Sequence, residues 1–598
     1  MTPQHCLAGL LLVLLAGTAS GRDAMAQAEQ VTHLPDLDAF FIRLTDEWME
    51  GDPDSAIEKA YFSGAKQNAL EQRMTPMTRE YRLSRIALAR RGLDELRRFD
   101  LGRASALQRH AAAVLRWQLE YQVSTERWLD YLKPPLQHYR GAGRQLVTGL
   151  TVSHPVQDAR DVENYVLRMQ WIDERMREAI ADSARRAQAG VVMPAFIIDA
   201  SIAQLQAFAA IPAAENPLVT TLGSKSEGIP GLAPQRRREL LARARKTVEH
   251  DIYPAWHEAI AQLRRERKQA GDLAGVSRLR DGAAFYQHRL AYYTSGSLSP
   301  GQVHRIGLAE VERISAEMLR LFDDIGIKEG SLEERIALLR ARLAFPDTAD
   351  GRAAMLAELD AHLADARRLV PDLFDKVPRA DVIIQPHPEF LWATAAASYK
   401  VPPQDGSRPG IFQMPLRAER LTRFSTRSLV FHETIPGHHF QLALLAENPD
   451  LPRFMQIRAF GSTTASSEGW ALYAERLAAE SGWFDGDVEG LLGQLQAQLF
   501  RAKRLVVDTG LHSMGWTRQQ AIDYGFSPSE IDRYVIRPGQ ACAYMIGQLK
   551  LLELREQARD ALGERFSLRQ FHNVVLGAGV VPLPTLERAV QDYINAQS

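Results

Sequence analysis

The chain has 598 residues and a formal net charge of −1, with 45% hydrophobic and 24% charged residues. That composition is of a soluble globular protein, and it excludes a disordered chain or a multi-spanning membrane protein. A near-zero charge balance gives no electrostatic footprint for nucleic acid.

Taken in order, the first segment reads as a leader. Leu7 to Gly17 is a short apolar run around Leu10-Leu11-Leu12-Val13-Leu14-Leu15, too short to span a bilayer. Small residues follow it. Ala24-Met25-Ala26 offers a cleavage site and Gly17-Thr18-Ala19 a nearer alternative, although no Lys or Arg precedes the run. The expectation is a signal peptide over 1–26, a mature chain from about residue 30, and export to the periplasm or beyond. No cysteine follows the run, so a lipid anchor is not expected. Of the two cysteines, Cys6 falls in the leader and Cys542 remains alone, so the mature chain forms no internal disulfide.

Apolar residues at spacings of three and four then predict helices over 36–50, 77–98, 103–131, 159–189 and the charged stretch 234–270. Within the last, Arg236-Arg237-Arg238 and His257-Glu258 read as solvated faces. Ser299-Pro300-Gly301-Gln302 reads as a helix start with a capping box, followed by helices over 300–324, 331–344 and 351–369. Eight prolines break the pattern between 370 and 425. There Val382-Ile383-Ile384 and Ile411-Phe412-Gln413-Met414 read as short strands, and Tyr399 to Gly410 as a turn-rich loop with Asp405-Gly406 as its turn. An exposed edge of such a sheet would suit an extended peptide; a plain connector is the bland alternative. Helices resume at Thr426 and run to the end. The expected fold is mainly α: one large helical unit over 30–598, bilobed around a cleft, with a small β element beside it.

The chemistry gathers at Phe431-His432-Glu433-Thr434-Ile435-Pro436-Gly437-His438-His439-Phe440-Gln441. Zinc hydrolases use imidazoles to hold the metal and an adjacent carboxylate to activate water, usually as H-E-x-x-H on one helical face. Here position i+4 is Pro436, and histidine returns only at i+6 and i+7. On a straight helix i+7 lies about 10.5 Å along the axis and i+6 about 120° round it, so neither can share one zinc with His432. Pro436 and Gly437 can relieve this by inserting a bulge that swings His438 into place. The reading takes His438 as second ligand, with His439 as its alternative or as a neighbour facing substrate. A third ligand is needed, and Ser467-Glu468-Gly469-Trp470-Ala471-Leu472-Tyr473-Ala474-Glu475 offers Glu468, with Glu475 on the same face to orient a ligand from behind. Asp508-Thr509-Gly510-Leu511-His512 and Arg537-Pro538-Gly539-Gln540-Ala541-Cys542-Ala543-Tyr544 supply His512 and Tyr544 as candidate donors to an oxyanion. Read alone, each fits a satisfied core residue better.

These four motifs, in this order, resemble the bacterial domain-of-unknown-function 885 family over most of the mature chain. That family in turn resembles helical gluzincin-type zinc metallopeptidases such as angiotensin-converting enzyme and the oligopeptidases. The resemblance implies Zn2+ on His432, His438 and Glu468, Glu433 as general base, and His512 and Tyr544 as substrate or oxyanion contacts. It departs from the pattern by two extra residues inside the zinc motif. The expected function is an exported zinc peptidase acting on short peptides. The alternatives are a zinc hydrolase of other amides or esters, and a non-catalytic helical zinc-containing binding protein.

Overall fold

Capping side chains and proline positions decide where the helices start and stop. The computed structural model describes residues 34–387, 389, 392, 396–402, 408–461 and 463–597. The expected leader over 1–26 and the Asp405-Gly406 turn lie outside them. Helices form at Pro35–Glu50, Arg79–Leu96 and Ala106–Ser124. At Pro300–Asp324 the Ser299 side chain accepts from the Gln302 amide and the Gln302 side chain caps back, completing the box. Two expected helices are divided. The 159–189 stretch forms Ala159–Met169 and Ile172–Gln188, with the Trp171 indole donating to the Gln72 carbonyl at 2.9 Å where they meet. The 234–270 stretch widens into a π turn at Val248–Ile252 before Tyr253–Arg267. Pro254 has no N–H and its ring would crowd the carbonyl four residues back, which the wider turn relieves.

The proline-rich region folds into three strands: β1 Val382–Pro386, β2 Ser398–Lys400 and β3 Gly410–Met414. Their order is β1-β3-β2, with β1 parallel and β2 antiparallel to β3. Strand β2 overlaps the start of the stretch expected to be only a loop. Its three residues carry too little alternation to be read locally; pairing with β3 makes it a strand.

Among the described residues the apolar interior forms two large bodies, a smaller third and a minor fourth. One joins the N-terminal helices (Phe40, Leu115) to the sheet (Phe412), the motif helices (Phe431, Trp470) and the C-terminal helices (Leu551, Val590). The second gathers Leu146, Tyr165 and Trp256. The Val488–Ser513 helix runs between bodies: Leu492 and Leu499 pack in the third, Val507 and Leu511 in the second. No described helix is long and apolar enough to cross a membrane. Arg236 pairs with Glu163 and Glu239, and Glu258 with Arg177, on exposed faces as expected.

Candidate metal centre

The His-Glu motif breaks its helix in two. One helix, Thr426–Glu433, ends on the glutamate; the next, His438–Glu447, begins on the second histidine. Between them the Ile435-Pro436 peptide is cis and Thr434 is non-helical. The expected bulge within one continuous helix is therefore replaced by a complete interruption. Pro436 cannot donate to a helical ladder. Gly437 packs its backbone so tightly that a Cβ there would lie 2.0 Å from the His432 carbonyl oxygen and 2.3 Å from that of Phe431. The Trp470 indole donates to the Pro436 carbonyl at 2.9 Å, tying this connector to the Thr464–Glu480 helix. The outcome is that the rings of His432 and His438 face each other, 4.8 Å between centroids and 80° between planes.

Glu468 completes the group from the Thr464–Glu480 helix. Its Oε2 lies 3.3 Å from His438 Nε2 and 3.7 Å from His432 Nε2, and one ligand atom from each of the three residues falls within 4.8 Å of the others. Donor atoms about 2.0–2.1 Å from a tetrahedral ion stand about 3.3 Å apart, so the Glu468–His438 separation matches that spacing and the Glu468–His432 separation is slightly longer. The helix is held close to its neighbour, Ala543–Leu562: a Cβ on Gly469 would meet the Gly547 backbone at 2.5 Å. A bulkier residue there would push Glu468 away from the histidines.

Behind the cluster stands a support layer. His432 Nδ1 donates to Glu475 Oε1 at 2.7 Å, which leaves Nε2 for the cluster. Glu475 is 1% exposed and also accepts from Ser428; the Arg501 guanidinium stands 3.8 Å away. Burial alone would discharge His432, but Glu468 and Glu475 together outweigh it and raise its pKa to about 9. Burial likewise opposes charge on Glu468, and the two imidazoles override it, holding the carboxyl well below its ordinary value. Protons on the imidazoles and a bound cation are alternative ways to balance the same carboxylates, so metal and protons compete here. Sequence reasoning anticipated Glu475 but missed Ser428 and Arg501. Ser428 lies one turn before His432 and was legible from spacing; Arg501 comes from a separate helix and carries no local signal.

The remaining candidates divide. Glu433 directly follows His432 and is nearly buried. His439 turns away from the cluster: its Nε2 donates to the Ala380 carbonyl at 3.1 Å and its Nδ1 accepts from the Tyr399 hydroxyl at 2.9 Å. It fastens the motif to the sheet. Tyr544 is half-buried near Glu468; burial first, then that carboxylate, raises its pKa and keeps the phenol protonated. The Arg504 guanidinium lies over its ring at 4.5 Å.

His512, expected as a substrate or oxyanion contact, is engaged by backbone groups of the core. It is 0% exposed, accepts from the Val276 amide at 3.2 Å and donates to the Tyr534 carbonyl at 3.1 Å, so both ring nitrogens are used. Its motif partner Asp508 accepts from the Gly539 amide at 2.9 Å and from the Tyr286 hydroxyl at 2.6 Å. The Asp-Thr-Gly-Leu-His and Arg-Pro-Gly-Gln-Ala motifs thus bind each other, and through that contact they place Tyr544.

The fold and the cluster define a large helical protein carrying two histidines and a glutamate convergent in its interior. The chain belongs to the bacterial protein family of unknown function DUF885, which it matches over residues 58–590. No curated protein matches it. Among solved structures it is similar to a "putative lipoprotein" from Colwellia psychrerythraea, with a TM-score of 0.89 and 28% identity, covering 94% of this chain and 99% of that one. A "putative lipoprotein of unknown function" from Shewanella oneidensis shares the fold, with a TM-score of 0.70 and 17% identity over 93% of this chain and 99% of that one.

Proposed function

We propose that this protein is an exported zinc-dependent peptidase acting on short peptides. The observation that carries the reading is the convergence of His432, His438 and Glu468 ligand atoms within 4.8 Å, with Glu433 next in the chain to the first ligand. Those three residues would hold the ion. When bound, zinc acidifies a water molecule and polarises a carbonyl. Glu433 accepts the proton of the attacking water and returns it to the leaving amine. Tyr544, kept protonated, donates to the carbonyl oxygen as negative charge builds there. Glu475 keeps His432 in the tautomer and orientation that the cluster requires. The description of both similar structures as lipoproteins supports export.

The test is a cleavage assay read by mass spectrometry, with zinc content measured in parallel. Wild type and Glu433→Gln are incubated with short peptides and with amide and ester substrates. Cleavage of peptides by wild type alone, with one zinc in both proteins, supports the proposal. Turnover of only the non-peptide substrates moves the reading to another amide or ester. No turnover with one zinc in each defeats it in favour of a zinc-containing binding protein.

A further inference from the structure

A recess opens between the helices Ile172–Gln188, Ala195–Ala209 and Tyr253–Arg267 and the turn Val276–Arg278. It encloses about 600 Å³, its open mouth included. Its lining shares no residue with the candidate metal centre: His432, Glu433, His438, Glu468 and Tyr544 are all absent from it. Most of the wall is apolar, with Val192, Met193, Ile197, Phe285, Val535 and Pro538 among its members.

Four ionisable side chains interrupt that wall, and two of them are already paired. Arg186 holds Asp182 at 2.7 Å, and Asp130 is held by Arg185 at 2.6 Å. The other two, Glu266 and Arg278, form no ion pair with each other or with any other described residue. Glu266 is only 3% exposed. Ser183 and Gln262 both donate to its Oε1, at 2.8 Å each, and no described residue donates to its Oε2. Arg278 spends Nη1 on the Ala274 and Gly275 carbonyls, at 3.3 and 2.9 Å, while its buried Nε has no partner. Burial, with no carboxylate to offset it, brings this guanidinium down to about 10, so it keeps its charge at neutral pH.

Both groups stand on fixed supports. Glu266 projects from a helix and is tied through Ser183 to a second one. The Arg278 turn packs on the Val488–Ser513 helix: a Cβ on Gly275 would lie 1.9 Å from the Leu511 carbonyl oxygen, and the Val276 amide donates to His512 at 3.2 Å. A recessed charge without a counter-ion is costly, and a ligand that brings the opposite charge relieves the cost. Here the two unpaired groups are of opposite sign, so a ligand that satisfies both carries a cation and an anion. The apolar wall asks for a hydrocarbon body between them.

We infer that this recess is a binding site for a small apolar zwitterion, of which a free amino acid with an apolar side chain is the simplest: its ammonium on Glu266, its carboxylate on Arg278 and its side chain against the wall. The site does not depend on the hydrolytic reading.

The test is calorimetry on the full mature chain carrying Glu433→Gln, so that no ligand is turned over, with L-leucine as the probe. The measurement is repeated after zinc is removed with a chelator. Leucine is expected to bind at least tenfold tighter than glycine, and equally with and without zinc. N-acetyl-L-leucine, which lacks the cation, and L-leucinamide, which lacks the anion, are each expected to bind at least tenfold more weakly than leucine. Glu266→Gln and Arg278→Gln are expected to weaken leucine binding by the same factor, each read with an unaltered circular dichroism spectrum. Val192→Phe, at a half-buried position, fills the recess while keeping both charges and is expected to abolish binding; it decides the matter where a charge variant fails to fold. Failure of leucine to bind at millimolar concentration overturns the inference. So does binding that disappears with zinc, which would place the ligand at the His-His-Glu cluster, and so does binding that survives Val192→Phe or both charge variants.

Discussion

At the scale of single residues, adjacent histidines have opposite fates. His438 faces His432 and Glu468, whereas His439 is spent on Ala380 and Tyr399. His438→Ala is expected to lose stoichiometric zinc, measured by mass spectrometry of the native protein. His439→Ala is expected to keep it but to lower the melting temperature, because it unties the sheet and leaves the Ala380 carbonyl without its donor. Glu475→Gln should weaken zinc affinity by about 10–100-fold, since a neutral amide supports the imidazole less strongly. A chelator competition titration reads this. For the proposed reaction, Tyr544→Phe should lower kcat by about 10²-fold with KM and zinc content little changed, the mark of a contact made in the transition state. An unchanged kcat in Tyr544→Phe would remove Tyr544 from the reaction.

At the scale of elements, the break between the two motif helices decides whether the ligands meet. Gly437→Ala puts a methyl group 2.0 Å from a carbonyl oxygen, and neither that backbone nor the Trp470-held connector can yield. Zinc affinity should fall by more than tenfold while helix content by circular dichroism is unchanged. Retained affinity would mean that the connector is softer than its contacts suggest. The spacing of the motif was legible in the sequence, as was the need for the helix to depart from ideality between His432 and His438. The form of the departure was not. A bulge and a full break both satisfy the local rules for proline and glycine, and the choice rests on a hydrogen bond from Trp470, thirty-four residues away. Strand β2 was likewise illegible, because its order comes from its partner.

At the scale of the whole molecule, Asp508 links the Val488–Ser513 helix to the segment that leads into Tyr544. It is fully buried, and burial raises its carboxyl to about 7 despite hydrogen bonds from Tyr286 and Gly539. The ordinary aspartate value is about 3.9. The folded state therefore keeps a proton that the unfolded chain releases. Stability from this group is full below about pH 4 and is lost as pH rises to about 7, by at most about 4 kcal/mol. Asp508→Asn should remove that slope, so the difference in melting temperature between variant and wild type should grow in the variant's favour from pH 4 to pH 7. A constant difference would place the proton elsewhere.

The sequence by itself determined the mainly helical fold and the strands β1 and β3, and it marked His432, Glu468 and the His438-His439 pair, because periodicity, caps and ligand chemistry are written within a few turns of chain; the choice of His438 over His439 came from the structure. It also marked the four motifs without saying which of them touch. Only the tertiary structure decided that Asp508 and His512 are held by core partners. It also brought Arg289 and Arg537 over the ring of Tyr293. The physical reason is that burial and pairing depend on what other segments bring alongside, and those partners come from far along the sequence, as with His110 and the Ala578 carbonyl, 468 residues apart.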